Sequence, residues 1–257
     1  MCGRYASMRS ADHLMAEFDI DEWADEDLLP PNYNVAPTDR VPVVLERPAR
    51  PAVPERGVPA RPEPARQLRT VRWGLVPSWA TDASVGSRMI NARVETVAEK
   101  PAFRTAMSRR RCVVPADGYY EWYADEGTKR PHFLRRADEG VLAFAGLYEI
   151  WRDPRPLGDD GAWLWSCTII TTEATDDLGH VHDRMPMVVP VDHRNSWLDT
   201  GFADALAARE LLVPAGSEGL VTYPVSRDVG DVRNNGSHLV EPLPARGADD
   251  DDVPTLF

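Results

Sequence analysis

Cysteine is scarce in this chain: three in 257 residues, at positions 2, 112 and 167. They are odd in number and far apart, with no Cys-x-x-Cys pair and no zinc-type spacing, which excludes a disulfide scaffold and a structural zinc module. Cys112 and Cys167 lie in apolar, strand-like runs and read as buried, inert thiols. This usage fits a reduced, cytoplasmic compartment. No apolar run approaches the length needed to span a bilayer, and the first 30 residues carry acids in place of an apolar signal segment. No membrane partner is expected. Lysine is also rare, since of 29 basic residues only Lys100 and Lys129 are lysines. There is no internal repeat and no linker that splits the chain, so one domain is expected. Hydrophobic content of 43% and charged content of 27% are ordinary for a globular protein.

A formal net charge of −12 argues against a generic nucleic-acid binder. The charge is uneven, however. Residues 11–28 hold eight acids and no Lys or Arg, and Asp249–Asp252 form an acidic run. Residues 88–111 instead carry seven bases (Arg88, Arg93, Lys100, Arg104, Arg109, Arg110, Arg111) against Glu95 and Glu99. Such a segment can hold a short stretch of phosphates while the acidic remainder repels long duplex. It equally suits a solvated helix face.

Ser10 is placed to cap a short helix with Leu14, Met15 and Phe18 inward. Pro30–Thr38, rich in Pro and Asn, reads as a rigid, turn-rich loop. Val41–Leu45 reads as a strand, and residues 46–68, rich in Pro, Ala and Arg, as a surface insertion. Further strands are expected at Leu68–Val76, Arg111–Pro115, Gly118–Tyr123, His132–Leu134, Val141–Phe144, Trp163–Thr171 and Thr222–Val225. Helices are expected from Pro101 to Arg109 and over Asp176–His180, Asn195–Leu198 and Ala203–Leu212. Many short strands without regular strand–helix alternation argue for a single-domain α+β fold, with a curved, mainly antiparallel, barrel-like sheet and short flanking helices.

The chemistry-bearing segments begin at Met1-Cys2-Gly3-Arg4-Tyr5. Removal of Met1 leaves Cys2 with a free α-amine and a thiol on adjacent carbons, a pair no internal cysteine offers. The amine can condense with an aldehyde and the thiol close a thiazolidine on the imine, or the amine can serve as base for the thiol in acyl transfer. In Ile90–Thr96, Asn91 and Arg93 lie two apart and share one face of an extended segment. Asn91 suits orienting a nucleophile or aldehyde oxygen and Arg93 a phosphate, although a structural pair reads equally well. Glu121 sits among aromatics in Asp117–Trp122, a setting that suits a carboxyl to proton transfer near neutral pH. His180 and His182 alternate before an apolar stretch. A general acid/base histidine beside Asp183 or Arg184 is more economical than a metal ligand, and no metal is assigned. Trp73 and Trp79 suit stacking on unpaired bases, or burial in the core.

Taken together, MCGRY at the start, YNVAPT at 33–38, RWGLVPSW at 72–79, INARVET at 90–96, ADGYYEW at 116–122, AGLYEIW at 145–151 and HDRMP at 182–186 closely resemble the SRAP (SOS-response-associated peptidase) family. Members of that family shield abasic sites in DNA. The resemblance covers residues 2–243, leaving the 46–68 insertion and an acidic, disordered tail at 244–257 outside it. It implies the SRAP fold and a thiazolidine crosslink between Cys2 and the ring-opened abasic sugar in single-stranded DNA, junctions with duplex included. By motif position Cys2 is the nucleophile, Asn91 positions it, Glu121 shuttles protons, and His182 assists sugar opening and slow reversal of the crosslink. Arg4, Arg93 and Arg184 match phosphate-holding positions. Asn34, Pro37 and Trp79 match elements that kink the strand and stack on bases. No cofactor is implied, and a monomer associated with the nucleoid through DNA is expected. Two departures stand out: Ala80 where some members carry a second aromatic, and Asp231 where many carry an amide. The first weakens stacking and the second places a charge near the C-terminal loop.

Two other functions compete with this reading. A cysteine peptidase or amidase using the same terminal nucleophile would need an oxyanion hole, and its proteolysis would extend little beyond self-processing. A plain single-strand binder would leave Cys2 incidental.

Overall fold

The computed structural model describes residues 2–23, 29–48, 64–125, 128–154, 163–174 and 184–244. Its first half contains β1 (Tyr5–Ser7), α1 (Ala11–Glu17), β2 (Glu22–Trp23), β3 (Asn32–Val35), β4 (Arg40–Pro48), β5 (Pro64–Trp73), β6 (Asn91–Arg93), α2 (Arg104–Arg109), β7 (Arg111–Ala116) and β8 (Gly118–Asp125). There follow β9 (Thr128–Arg136), β10 (Leu142–Arg152), β11 (Trp163–Glu173), β12 (Arg184–Val188), α3 (Arg194–Leu198), α4 (Ala205–Arg209), β13 (Val213–Pro214) and β14 (Leu220–Pro224).

The strands form two curved sheets. One has the order β14-β9-β8-β1-β3, antiparallel throughout. The other runs β13-β12-β10-β7-β4-β5-β11-β6 with β2 added beside β5. It is mainly antiparallel, with parallel pairings β2–β5, β5–β11 and β11–β6. The long β10–β11 ladder, Gly146↔Ile169 to Arg152↔Trp163, curls this sheet back on itself. The β4–β7 and β5–β11 seams hold only two register pairs each. The expected α+β class and curved antiparallel architecture hold, as curved sheets and not as a closed barrel.

Alternation along β8 and β9 separates the faces of the first sheet. Tyr119 and Leu134 join Cys2, Tyr5, Trp73 and Phe144 in a core against the second sheet. Tyr120 and Phe133 face the other way, under Val225, Val229 and Leu239. A further core, with Leu14, Phe18, Met107, Ile170 and Trp197, seats the helices on the second sheet's outer side. In α1 the Ser10 hydroxyl accepts from the His13 N–H at 3.3 Å, the expected cap.

Several expected elements differ from those observed. Within Pro30–Thr38, Asn32–Val35 is a strand, because the open edge of β1 offers its backbone a partner (Tyr5↔Val35, Ser7↔Asn32). Strand β10 extends well past Phe144, since Gly146 is paired on both sides, to Cys112 and Ile169. The start of α2 is Arg104, with turns over 101–103. In α4 the Asp204 carboxylate accepts from Leu206 and Ala207 at 2.9 and 3.0 Å and sets a later start. The expected insertion is entered and left by paired backbone, Glu46↔Arg66 to Pro48↔Pro64. Residues 49–63, the helix expected over Asp176–His180 and most of the acidic tail lie outside the described residues.

Candidate functional site

Cys2 is fully enclosed, at 0% exposure. Its backbone lies where the two sheets meet. The Tyr120 N–H donates to the Arg4 carbonyl at 2.9 Å, extending the β1–β8 pairing towards the N-terminus. From the second sheet Asn91, first residue of β6, donates its Nδ2 to the Cys2 carbonyl at 2.9 Å. Parallel pairing of β6 with β11 (Ile169↔Asn91) fixes that position. The Asn91 Oδ1 is buried with no hydrogen-bond partner among the described residues.

Glu121 on β8 is 4% exposed and shares the Tyr119 face, two residues further along the strand. Burial, and after it the charge of Glu121, push the Cys2 thiol up. The Tyr119 phenol is likewise pushed up by burial first, then by Cys2 and Glu121. Cys2, Tyr119 and Glu121 therefore lie close enough to influence one another's charge, and Asn91 reaches the Cys2 backbone.

The RWGLVPSW segment supplies one rim. Trp73 is core: its Nε1 donates to the Ile90 carbonyl at 2.9 Å, and its ring meets Tyr5 edge-on at 5.2 Å. Gly74 adopts φ +123°, and a Cβ there would lie 2.6 Å from the Gly86 carbonyl oxygen. A Cβ on Gly86 would come equally close to the Gly74 oxygen, at 2.4 Å. Two glycines in contact thus let the segment turn away from β5 against the 3-10 turn at Ala83–Arg88. Between β5 and that turn Trp79 is 62% exposed. Ala80 is buried against Trp151, whose indole donates to the Ala80 carbonyl at 2.7 Å. Residue 80 faces the interior, so its small size serves packing and does not take a stacking ring from the surface.

A second rim joins the Asn34 loop to the C-terminal segment. Asn34 is buried and accepts from Arg4 Nη1 at 2.8 Å. Its Nδ2 donates to the Asp231 and Asn234 carbonyls at 3.0 and 2.9 Å. Asn34 therefore orients Arg4 and holds residues 229–234. Arg4 Nη1 also donates to the Val229 carbonyl at 2.6 Å, and the guanidinium lies 5.8 Å from the Trp122 ring centre. Asp231 is chelated by Arg233 at 2.6–3.1 Å, and that hydrogen bonding brings its carboxyl down to about 2. The charge expected near this loop is thus balanced within it. Pro37 is half-buried at the loop tip, where the next N–H, that of Thr38, donates to the Trp73 carbonyl at 2.9 Å; this bond stitches the two rims together.

The arginines separate into distinct groups. Arg93 is exposed on the Asn91 face of β6. Arg184, 8% exposed, donates to Glu95 at 2.9 and 3.2 Å and to the Thr171 carbonyl at 2.7 Å. Burial acts to raise the Glu95 carboxyl but is outweighed by these bonds, which hold it below its ordinary value. Arg184 is thus locked to an acid on the Arg93 side of the site. Arg111 is buried and saturated by backbone carbonyls. The basic run at 88–111 is therefore not one phosphate-binding surface: Arg88, Arg93, Arg104 and Arg109 are exposed, while Arg110 pairs with Glu149 at 2.8 Å.

His180, His182 and Asp183 lie outside the described residues. Among the described residues no cluster of three or more His, Cys, Asp or Glu is placed to hold a metal ion, and no helix is long and apolar enough to cross a membrane. Sequence reasoning missed His132, which the β8–β9 register sets opposite Glu121. Its only sequence signal was a position in a short strand.

Known proteins share this sequence pattern and fold. The family model described as SOS response associated peptidase (SRAP) matches residues 1–232. The chain is 36% identical to the abasic site processing protein YoaM of Bacillus subtilis over 94% of this chain and 98% of that one. It is 30% identical to the abasic site processing protein HMCES of Gallus gallus, covering 95% of this chain and 78% of that one. Among solved structures, a Bacteroides thetaiotaomicron protein superposes with a TM-score of 0.77 at 23% identity, over 94% of this chain and all of that one. A Bordetella bronchiseptica protein superposes with a TM-score of 0.66 at 26% identity, over 88% of this chain and all of that one. This chain belongs to the SOS response associated peptidase family.

Proposed function

We propose that the protein processes abasic sites in DNA, and that it does so by capturing the ring-opened aldehyde on Cys2 as a thiazolidine in single-stranded DNA. Its relatives are named for abasic site processing. The observation that carries the reading is the 2.9 Å bond from Asn91 to the Cys2 carbonyl, beside a buried Glu121. With Met1 removed, the α-amine of Cys2 adds to the aldehyde carbon. Glu121 gives a proton to the departing hydroxyl, and one water leaves as the iminium forms. The thiol sulfur then bonds to the same carbon and its proton returns to Glu121. Oδ1 of Asn91, buried and unpartnered among the described residues, is an acceptor suited to the amine. His182 assists sugar opening and slow reversal. Arg4 and Arg93 hold phosphates, with Arg184 bracing that side. Pro37 and the exposed Trp79 meet the flanking bases.

The raised Cys2 thiol supports this order of events over acyl transfer. A peptidase nucleophile needs thiolate at neutral pH. An amine that attacks first needs only a neutral thiol to close the ring.

Intact mass spectrometry after mixing with an abasic oligonucleotide tests the proposal. The expected mass is the chain without Met1 plus the oligonucleotide less one water. A mature protein that gains no such mass overturns it.

The role of Trp79 gives a separate result. Trp79→Ala weakens binding of undamaged single strands by about 1–3 kcal/mol, as for a lost base–aromatic stack. Fluorescence anisotropy at fixed salt checks it; unchanged affinity removes Trp79 from the interface.

A further inference from the structure

His132 stands across the β8–β9 ladder from Glu121. Directly opposed residues of an antiparallel pair project to the same face, with Cβ atoms about 4.5–5.5 Å apart. That face is known from the preceding pair: Tyr119 and Leu134 are register partners and both lie in the core around Cys2. Glu121 and His132 are the next pair outward, the first buried and the second half-buried. The Tyr123 ring packs on His132 with centroids 4.0 Å apart and limits its rotation. On its other side His132 is opposed by Pro224 of β14.

One tautomer of the ring suits its neighbour. Nδ1 of His132 lies 3.4 Å from the Arg130 carbonyl oxygen, and in the tautomer protonated on Nδ1 the ring donates to it. In the neutral ring Nε2 then carries a lone pair. A lone pair beside a buried carboxylate is repulsive unless the two share a proton.

We infer that His132 is a positioning residue for Glu121: the two hold one proton between them, and the ring fixes the carboxyl towards Cys2. The proton resides on Glu121 when the hydroxyl must leave as water, and returns to the pair from the thiol when the ring closes. This rests on the proton-carrying role proposed for Glu121. Among the described residues, the other titratable or charged groups facing the pair include Tyr119 and Tyr123 on β8, Arg130 on β9, and Cys2. Thr222 and Pro224, facing from β14, are uncharged.

Two measurements on the full chain test it. In a histidine-ring nuclear magnetic resonance titration, with the His132 signal assigned by its loss in His132→Phe, Glu121→Gln lowers the His132 midpoint by about one pH unit, as expected for removal of an adjacent carboxylate. In single-turnover crosslinking to an abasic oligonucleotide, His132→Phe slows the reaction about tenfold, yet adds nothing in the Glu121→Gln background, because coupled residues are not additive. Phenylalanine retains a ring against Tyr123; if its melting shows a lost fold, His132→Gln takes its place in the crosslinking arm, and the His132 signal is then assigned from the same variant. An unmoved His132 midpoint, or equal slowing in both backgrounds, overturns the inference. A wild type that forms no crosslink counts against the proposed function, and the titration then decides this inference alone.

Discussion

Cys2→Ala abolishes the heat-stable adduct with abasic single strands, a fall in yield of at least about 10³-fold, set by the loss of an intramolecular thiol with an effective molarity of about 10⁵ M or more. The variant still has an α-amine and still forms an imine, but nothing on the same residue traps it. The imine therefore hydrolyses on heating and survives only when reduced with borohydride. Neither Cys112 nor Cys167 substitutes, since both are buried within strands β7 and β11 and carry no free amine. Cys2→Ser behaves nearly as the alanine variant, because a hydroxyl is a poor partner for the iminium carbon. Denaturing electrophoresis after heating, with and without borohydride, separates these outcomes. A heat-stable adduct in Cys2→Ala would move the chemistry to another residue. An extra residue ahead of Cys2 also abolishes the heat-stable adduct, but at the earlier step, because it removes the free amine of Cys2 that forms the imine.

Arg111→Met lowers stability by about 3–5 kcal/mol, the range for breaking a buried charged network. The Arg111 guanidinium donates to the carbonyls of Trp197 (2.6 Å), Met107 (2.9 Å), Ser108 (3.2 Å), Asp199 (2.7 Å) and Phe202 (2.7 Å). Met107 and Ser108 lie in the last turn of α2, and Trp197 in that of α3, so one side chain caps the C-terminal carbonyls of two helices. Rings of Trp197 and Phe202 flank the cation at 5.6 Å each. Methionine fills the volume but leaves five carbonyls, two in buried and three in partly buried bonds, without this donor. Burial pushes the Arg111 pKa down, yet arginine keeps its charge throughout the range in which proteins fold. Urea denaturation measures the change. A loss below about 1 kcal/mol, the worth of a single ordinary hydrogen bond, would show that water replaces the guanidinium.

The contrast between Arg111 and Arg93 marks the limit of a linear reading. Both belong to one basic run, yet Arg93 is exposed on an edge strand and Arg111 lies inside. Charge count along the chain carries no information on which guanidinium meets carbonyls and which meets solvent. Asn34 shows the same limit: nothing in its motif tells that its amide is engaged by Arg4 and the carbonyls of residues 231 and 234. Trp73 and Trp79, both read as stacking candidates or core, divide into one buried and one exposed ring.

The sequence by itself determined where most of the long strands lie, because apolar runs bounded by Pro, Gly and Asn have few other ways to bury themselves, whereas β3 and the full length of β10 came from pairing. It also determined the chemical type of the site, since an aminothiol, an amide, a carboxylate amid aromatics and scattered arginines are legible residue by residue. Tertiary structure alone decided which of them meet. The residues 2, 91 and 121 converge only because β1 pairs with β8 while β6 attaches to β11, and register across strands is a non-local property. The same register placed His132 opposite Glu121, 11 positions away in sequence and adjacent in space. A face and a partner are assigned by pairing, and pairing is fixed by the burial of the whole sheet.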